Sequence, residues 1–173
     1  MTLTGKRVAV LAEDNYQEME LWYPYYRLVE AGAQVTLVGS GKKDVFHSKN
    51  GYPAPVDRAA SEVSSADFDA VVVPGGFAPD KMRTVDSMTS LVASMAKEGK
   101  VVAAICHAAW VLISAGVVDG KRATCVANIK DDLINAGATY VDEEVVVDGN
   151  LITSRTPPDL PAFARAIIEK LST

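Results

Sequence analysis

The chain is poor in the residues that form disulfides and bind transition metals. It has two cysteines, Cys106 and Cys125, and two histidines, His47 and His107, among 173 residues. Two cysteines outside a C-x-x-C pair exclude a disulfide framework and argue against thioredoxin-like chemistry and a cysteine zinc cage. With so few histidines as well, the sequence predicts no metal site.

Excess positive charge and long apolar runs are also absent. The net charge of -5 and the lack of any Lys/Arg cluster argue against a nucleic-acid partner. Residues 1–6 lack the apolar segment of a signal peptide, and no run approaches the roughly 18 apolar residues of a membrane span. We therefore expect a cytoplasmic protein with no membrane partner, and its length predicts one domain, 1–173.

Alternating strand and helix patterns fill most of the chain. Continuous apolar runs predict buried parallel strands at 6–12, 34–39, 69–73 and 101–105. Helical spacing predicts helices at about 17–31, with Pro24 inside, then within 78–99 after a polar entry, and at 108–115, 128–137 and 159–171. This alternation is typical of an α/β fold, a three-layer sandwich around a mostly parallel sheet.

Three further segments are less regular. Residues 40–55 predict a small hairpin excursion, because Asn50-Gly51 is a strong turn signal, and His47 there is expected in solvent. Residues 122–127 predict a short strand. Runs 145–147 and 151–153 flank Asp148-Gly149 and predict a strand pair.

Three predicted strands end in chemically distinctive residues. Residues 13–20 are rich in acids, 74–76 read Pro-Gly-Gly, and Cys106-His107 stands where a strand turns into a helix. Ligand sites in such sheets lie beyond the carboxyl ends of the strands, so an acid, an oxyanion pocket and a nucleophile are expected to converge. The alternative is that Cys106 is a small buried hydrophobe and the glycines only form tight turns.

Several separated motifs together resemble the PfpI family. The resemblance runs from Val8 to the last predicted helix, and its motifs are Pro74-Gly75-Gly76, Ala104-Ile105-Cys106-His107, Ile129-Lys130-Asp131-Asp132, Thr153-Ser154-Arg155 and Pro158-Asp159-Leu160. It implies a flavodoxin-like fold, a cysteine on a strained nucleophile elbow and homo-oligomers, dimers or hexamers. It also implies stress-protective deglycase or glyoxalase III action on methylglyoxal and its early adducts, or intracellular cysteine peptidase activity.

The resemblance assigns roles to individual residues. Cys106 takes the position of the nucleophile, and Glu20 that of a buried carboxyl beside the thiol. We predict that the pKa of Glu20 is raised, because an ionised carboxylate would repel a thiolate; the alternative is a surface glutamate of a helix. Gly75 and Gly76, with the backbone N–H of His107, are expected to form the oxyanion and substrate-binding pocket.

The chain departs from the family pattern at three positions. Asp80 stands where peptidase-like members carry a glutamate that reaches the histidine of a neighbouring subunit. Gln17 replaces an acidic residue of the first loop, and Val126 replaces a tyrosine over the pocket. Because neighbours at a helix start do not face each other, we expect His107 to act only when Asp80 of a second chain holds it.

Rival functions can be weighed on the same residues. A glutamine amidotransferase needs a histidine far downstream, and no histidine follows His107. A flavodoxin-like cofactor module needs a phosphate loop after the first strand, where this chain has acidic, glycine-free residues 12–15, so no cofactor is expected. A redox sensor or holdase chaperone needs the same thiol and stays open. The sequence therefore predicts a cysteine-dependent hydrolase or lyase of small carbonyl compounds or glycated proteins and peptides, with a peptidase as the second choice.

Overall fold

A computed structural model describes residues 2–173. The helices and strands are, in chain order, β1 Arg7–Ala12, α1 Glu18–Glu30, β2 Gln34–Gly39, β3 Val45–His47, β4 Pro53–Pro55, β5 Arg58–Ala59, β6 Ala70–Val73, α2 Ala78–Met82, α3 Asp86–Lys97, β7 Val101–Ile105, α4 Ala109–Ser114, β8 Arg122–Ala123, α5 Lys130–Asn135, β9 Thr139–Tyr140, β10 Val145–Asp148, β11 Leu151–Ser154 and α6 Leu160–Leu171.

The main sheet has seven strands in the order β10-β11-β7-β6-β1-β2-β5. All neighbours are parallel except β10, which is antiparallel to β11. Every residue of β6 and β7 is buried, as continuous apolar runs require in a sheet covered on both faces. The predicted α/β class and the four predicted parallel strands are confirmed.

Helices cover both faces of this sheet. Helix α1 packs against β1 and β2 and contacts α6, which lies on β7 and β11, whereas α3 and α4 contact each other and also pack on β7. Helix α1 begins where Gln17 Oε1 accepts the backbone N–H of Glu20 at 2.9 Å, so the sequence caps this helix with an amide side chain. The arrangement is the three-layer sandwich that the pattern predicts.

The structure corrects two predicted segments. The strand predicted over 122–127 stops at Ala123, because the backbone N–H of Thr124 donates to Thr153 Oγ1 at 2.9 Å and leaves the ladder. Its partner β9 has only two residues, too few to give a period. Residues 78–99 form two helices instead of a polar entry and one helix, because Val85 adopts extended backbone between α2 and α3.

The predicted hairpin is present and is attached to the first loop. Strands β3 and β4 pair antiparallel, and His47 is exposed as predicted. The backbone N–H of Lys49 donates to the carbonyl of Tyr16 at 3.1 Å, and that of Asn15 donates to the carbonyl of His47 at 2.7 Å. The tip of the hairpin is therefore fixed against the loop that follows β1.

Candidate active site at the end of β7

Cys106 lies on a sharp corner between β7 and a single 3-10 turn, residues 106–108, that leads into α4. Its φ is 65°, a left-handed value that few residues other than glycine adopt. Such a conformation costs on the order of 1–3 kcal/mol and is characteristic of functional sites. The corner turns the thiol out of the sheet, where it is partly exposed.

Gly75 lies directly beside this corner because of the strand register. Val73 of β6 pairs with Ala104 of β7, so the chain two residues later places Gly75 next to Cys106. A Cβ on Gly75 would lie 2.7 Å from the Cys106 Cβ and 2.3 Å from Glu20 Oε2. Glycine is therefore required here for the thiol and the carboxyl to approach each other.

Gly76 directs its backbone at the same sulfur. It has a φ of 82°, and a Cβ there would lie 2.5 Å from the carbonyl oxygen of Asn15. The backbone N–H groups of Gly76 and His107 lie near the Cys106 sulfur and favour its charged form, which lowers the pKa of the thiol. Two donors on one atom form the kind of cradle that stabilises a developing oxyanion.

Glu20 is completely buried in the first turn of α1, so the alternative of a surface glutamate is wrong. Its Oε2 accepts the backbone N–H of Gly75 at 2.9 Å, and its Oε1 is buried without a hydrogen-bond partner of good geometry in residues 2–173. Burial raises the pKa of Glu20 to about 7, although the Gly75 N–H, the Cys106 thiol and the charge of Lys49 act in the opposite direction. The raised pKa agrees with the prediction.

The thiol and this carboxyl titrate as a pair. Burial first, and then the negative charge of Glu20, raise the pKa of Cys106 to about 12, and the N–H groups of His107 and Gly76 offset only part of this. The thiol is therefore not acidified while Glu20 is ionised. A protonated Glu20 removes the repulsion, so the site can carry one negative charge, on either the carboxyl or the sulfur.

His107 contacts the thiol directly. Its Nδ1 lies 3.3 Å from Cys106 Sγ, and its ring packs near Phe77 and Trp110, with centroid distances of 6.2 and 5.2 Å. The expectation that neighbouring residues do not face each other is wrong here, because the left-handed Cys106 breaks helical geometry at this corner. Burial lowers the pKa of His107 and so favours the neutral ring, whose unprotonated nitrogen can accept a proton.

The side chains of the remaining predicted residues form no hydrogen bond with the Cys106 thiol, although the backbone N–H of Gln17 donates to the Gly75 carbonyl at 3.2 Å. Asp80 is exposed on α2, and no carboxylate of residues 2–173 shifts the pKa of His107. Val126 is half-buried where the chain turns toward α5. Gln17 uses its side chain to cap α1, which fixes the position of Glu20.

Two residues at this end of the sheet are absent from the sequence-based site. Asn15 has a φ of 68°, and its carbonyl accepts the backbone N–H of Phe77 at 2.9 Å, which ties the first loop to the glycine loop. Asparagine tolerates this conformation, but a single asparagine in a loop is a weak signal. The charge of Lys49 acts on Glu20 because the hairpin docks on the first loop, a long-range arrangement that no local pattern reveals.

Features elsewhere on the described surface are separate from the thiol. A groove of about 630 Å³ on the outer face of α1 is lined by residues that include Met19, Trp22, Tyr23, Tyr26 and Tyr52, but not Cys106. Across residues 2–173, no three His, Cys, Asp or Glu side chains are grouped to hold a metal ion. The helices in this range are too short or too polar to cross a bilayer.

A parallel α/β sheet with a cysteine corner, two glycines and a buried glutamate at its carboxyl edge defines a thiol-centred flavodoxin-like protein. The sequence model of the DJ-1/PfpI family matches residues 6–170. The chain belongs to this family. Among similar proteins, a deglycase of Pyrococcus abyssi is 48% identical, over 95% of this chain and 99% of that protein.

Two other relatives extend the comparison. Protein/nucleic acid deglycase 2 of Escherichia coli is 40% identical, over 96% of this chain and 98% of that protein. The crystal structure of Drosophila melanogaster DJ-1beta superposes with a TM-score of 0.91 at 35% identity, and the match covers 99% of this chain and 91% of that one. Both matches cover nearly the full length of the two chains.

Proposed function

We propose that the protein is a cysteine-dependent deglycase that acts on reactive carbonyls and their early adducts, with stress protection as its role. The observation that carries the proposal is the set of groups on one sulfur: the His107 ring, two backbone N–H groups and the buried Glu20. Relatives named deglycases, 40–48% identical over nearly their whole length, support the same activity.

The first chemical step uses each of these groups. When the substrate is a hemithioacetal, its C–S bond first breaks in the site, and the adduct thiol leaves with the hydroxyl proton so that the aldehyde remains. The thiol proton of Cys106 then passes to Nδ1 of His107 as the sulfur forms a bond to the aldehyde carbon. The carbonyl π pair moves onto oxygen, where the N–H groups of Gly76 and His107 hold it, at a gain of about 3 kcal/mol per donor in comparable acyl enzymes. Protonated Glu20 then supplies a proton to the adduct.

The other functions predicted from the sequence receive less support. The five grooves described within residues 2–173 are lined by residues other than Cys106, so none of them would hold an extended peptide against the thiol. A redox sensor would use the same Cys106 thiol, and the relatives named deglycases favour the enzyme over it. We therefore rank a peptidase and a redox sensor below the deglycase.

We also propose self-association through the face that bears Asp80 and His107. Helix α2 contacts the 3-10 turn that holds His107, and the Asp80 carboxylate is exposed, so both groups lie on one side of the chain. A two-fold axis beside them would bring each Asp80 to the His107 of the other copy. This dimer supplies the carboxylate that the histidine lacks within its own chain.

A cytoplasmic location and a single functional domain complete the proposal. Cys106 and Cys125 are both free, as in proteins of a reducing compartment. The buried apolar residues form one contiguous core, which is in keeping with one domain over 1–173.

The experiment compares three activities in the wild type, Cys106→Ser and Glu20→Gln at a defined oligomeric state. The activities are methylglyoxal consumption, removal of methylglyoxal from N-acetylcysteine, and hydrolysis of an unstructured peptide. The proposal expects both variants to lose the first two activities at least 100-fold. If Cys106→Ser retains them, the catalytic proposal is wrong, and if only peptide hydrolysis depends on Cys106, the peptidase takes its place.

A further inference from the structure

The hairpin tip brings a lysine to the rim of the site. The backbone of Tyr16 bridges Ser48 on one side and Gly76 on the other, so the hairpin, the first loop and the glycine loop lie edge to edge. Lys49 follows Ser48 and is held by its own N–H on the Tyr16 carbonyl at 3.1 Å. Tyr16 therefore lies between the backbone of Lys49 and that of Gly76, one of the two oxyanion donors.

Two acidic groups of this rim, Asp14 and Glu18, already have partners. Asp14 forms a 2.5 Å ion pair with Lys43, and Glu18 accepts the Ser48 hydroxyl at 2.5 Å. Lys49 is exposed and has no carboxylate within ion-pair distance in residues 2–173. Its ammonium is therefore free to bind a group from solution.

The charge of Lys49 is also felt inside the site. It favours the ionised form of Glu20, and in this way it lowers the pKa of that buried carboxyl. An ammonium that acts on Glu20 also acts on an anionic group bound near Cys106, because the two are side by side. The Lys49 ammonium does not strengthen the binding of hydrophobic or other uncharged substrates.

We infer that Lys49 is a specificity-determining residue that directs the site toward carbonyl compounds and adducts bearing a carboxylate near the reacting carbon. The inference deepens the proposed function and rests on it, because these compounds are substrates only if the protein is a deglycase. The preference for an anion at the thiol is a property of Cys106 and Lys49 that does not require turnover. It can therefore be measured separately.

The first test is alkylation of Cys106 by iodoacetate and iodoacetamide, which differ in charge and share a leaving group. The ratio of the two rates cancels any change in thiol reactivity, and Cys106→Ser corrects for Cys125. Lys49→Met is expected to lower the iodoacetate-to-iodoacetamide ratio about fivefold at low ionic strength, the effect of one nearby opposite charge in a water-like medium. Lys49→Arg should preserve the wild-type ratio.

Lys42→Met is the matched control, because Lys42 is exposed near the start of the same hairpin. It should leave the ratio unchanged, and high salt should bring the wild type down to the Lys49→Met value. Equal ratios in the wild type and Lys49→Met at low salt would overturn the inference.

The second test measures turnover of two methylglyoxal hemithioacetals, one of N-acetylcysteine and one of its uncharged amide. The wild type should favour the acidic adduct in kcat/KM, and Lys49→Met should remove that preference while it keeps activity on the amide. If the wild type handles both equally, the inference fails and the proposed function stands. If the wild type turns over neither hemithioacetal, the proposed function fails, and the alkylation ratio alone decides the role of Lys49.

Discussion

Glu20→Gln is expected to change how stability depends on pH. In the folded chain the pKa of Glu20 is raised from 4.5 to about 7, chiefly by burial, so the native state holds this proton more tightly than the unfolded state does. The contribution of Glu20 to stability is therefore full below pH 4.5 and is lost as the pH rises from 4.5 through 7. The shift corresponds to a loss of ~3 kcal/mol in the free energy of unfolding.

Glutamine keeps the acceptor for the Gly75 N–H but cannot ionise. The assay is urea denaturation between pH 5 and 8 at fixed protein concentration, with Glu30→Gln, on the exposed end of the same helix, as control. Between pH 5 and pH 8, the free energy of unfolding of Glu20→Gln should rise by about 2–3 kcal/mol relative to that of the wild type. The free energy of unfolding of Glu30→Gln should show no such relative rise. If the unfolding free energies of Glu20→Gln and the wild type change with pH in parallel, Glu20 is not a buried carboxyl that the folded state keeps protonated.

Three other substitutions test the geometry of the site. Gly75→Ala should lower the free energy of unfolding, measured in urea, by about 3 kcal/mol, because its Cβ would meet Glu20 Oε2 at 2.3 Å. Gly99 is the control: it has a φ of 72° and open space around it, so Gly99→Ala should lose only about 1 kcal/mol. Tyr16→Phe removes a buried hydroxyl that donates to the Tyr52 carbonyl at 2.7 Å, and its expected loss of about 1–2 kcal/mol is read from the same transition. His107→Gln should reduce kcat/KM about 100-fold with unchanged thermal unfolding, and an undiminished rate would remove His107 from proton transfer.

Local sequence patterns predicted the strands that position the site. The apolar runs of β1, β2, β6 and β7 have no competing helical period, and the register of two parallel strands then brings Gly75 to Cys106. Glu20 could be predicted only through the family resemblance, since its position in an amphipathic helix is equally typical of a surface residue. Burial by the glycine loop decides between these alternatives.

Local sequence patterns could not predict where His107 and Lys49 lie relative to the thiol. The ring meets the thiol because Cys106 takes a left-handed φ of 65°, and no propensity scale assigns that value to cysteine. Lys49 lies 33 residues after Tyr16 in the sequence, and the two meet only because the hairpin docks on the first loop. Short strands such as β8 and β9 escape prediction because two residues carry no period.

The most direct test of the central claim is the rate at which Cys106→Ser removes methylglyoxal from N-acetylcysteine, relative to the wild type. The substitution replaces only the sulfur and leaves the backbone donors, His107 and Glu20 in place. The account predicts a rate at least 100-fold lower with an unchanged fold by circular dichroism. A folded Cys106→Ser protein that works at the wild-type rate would contradict it.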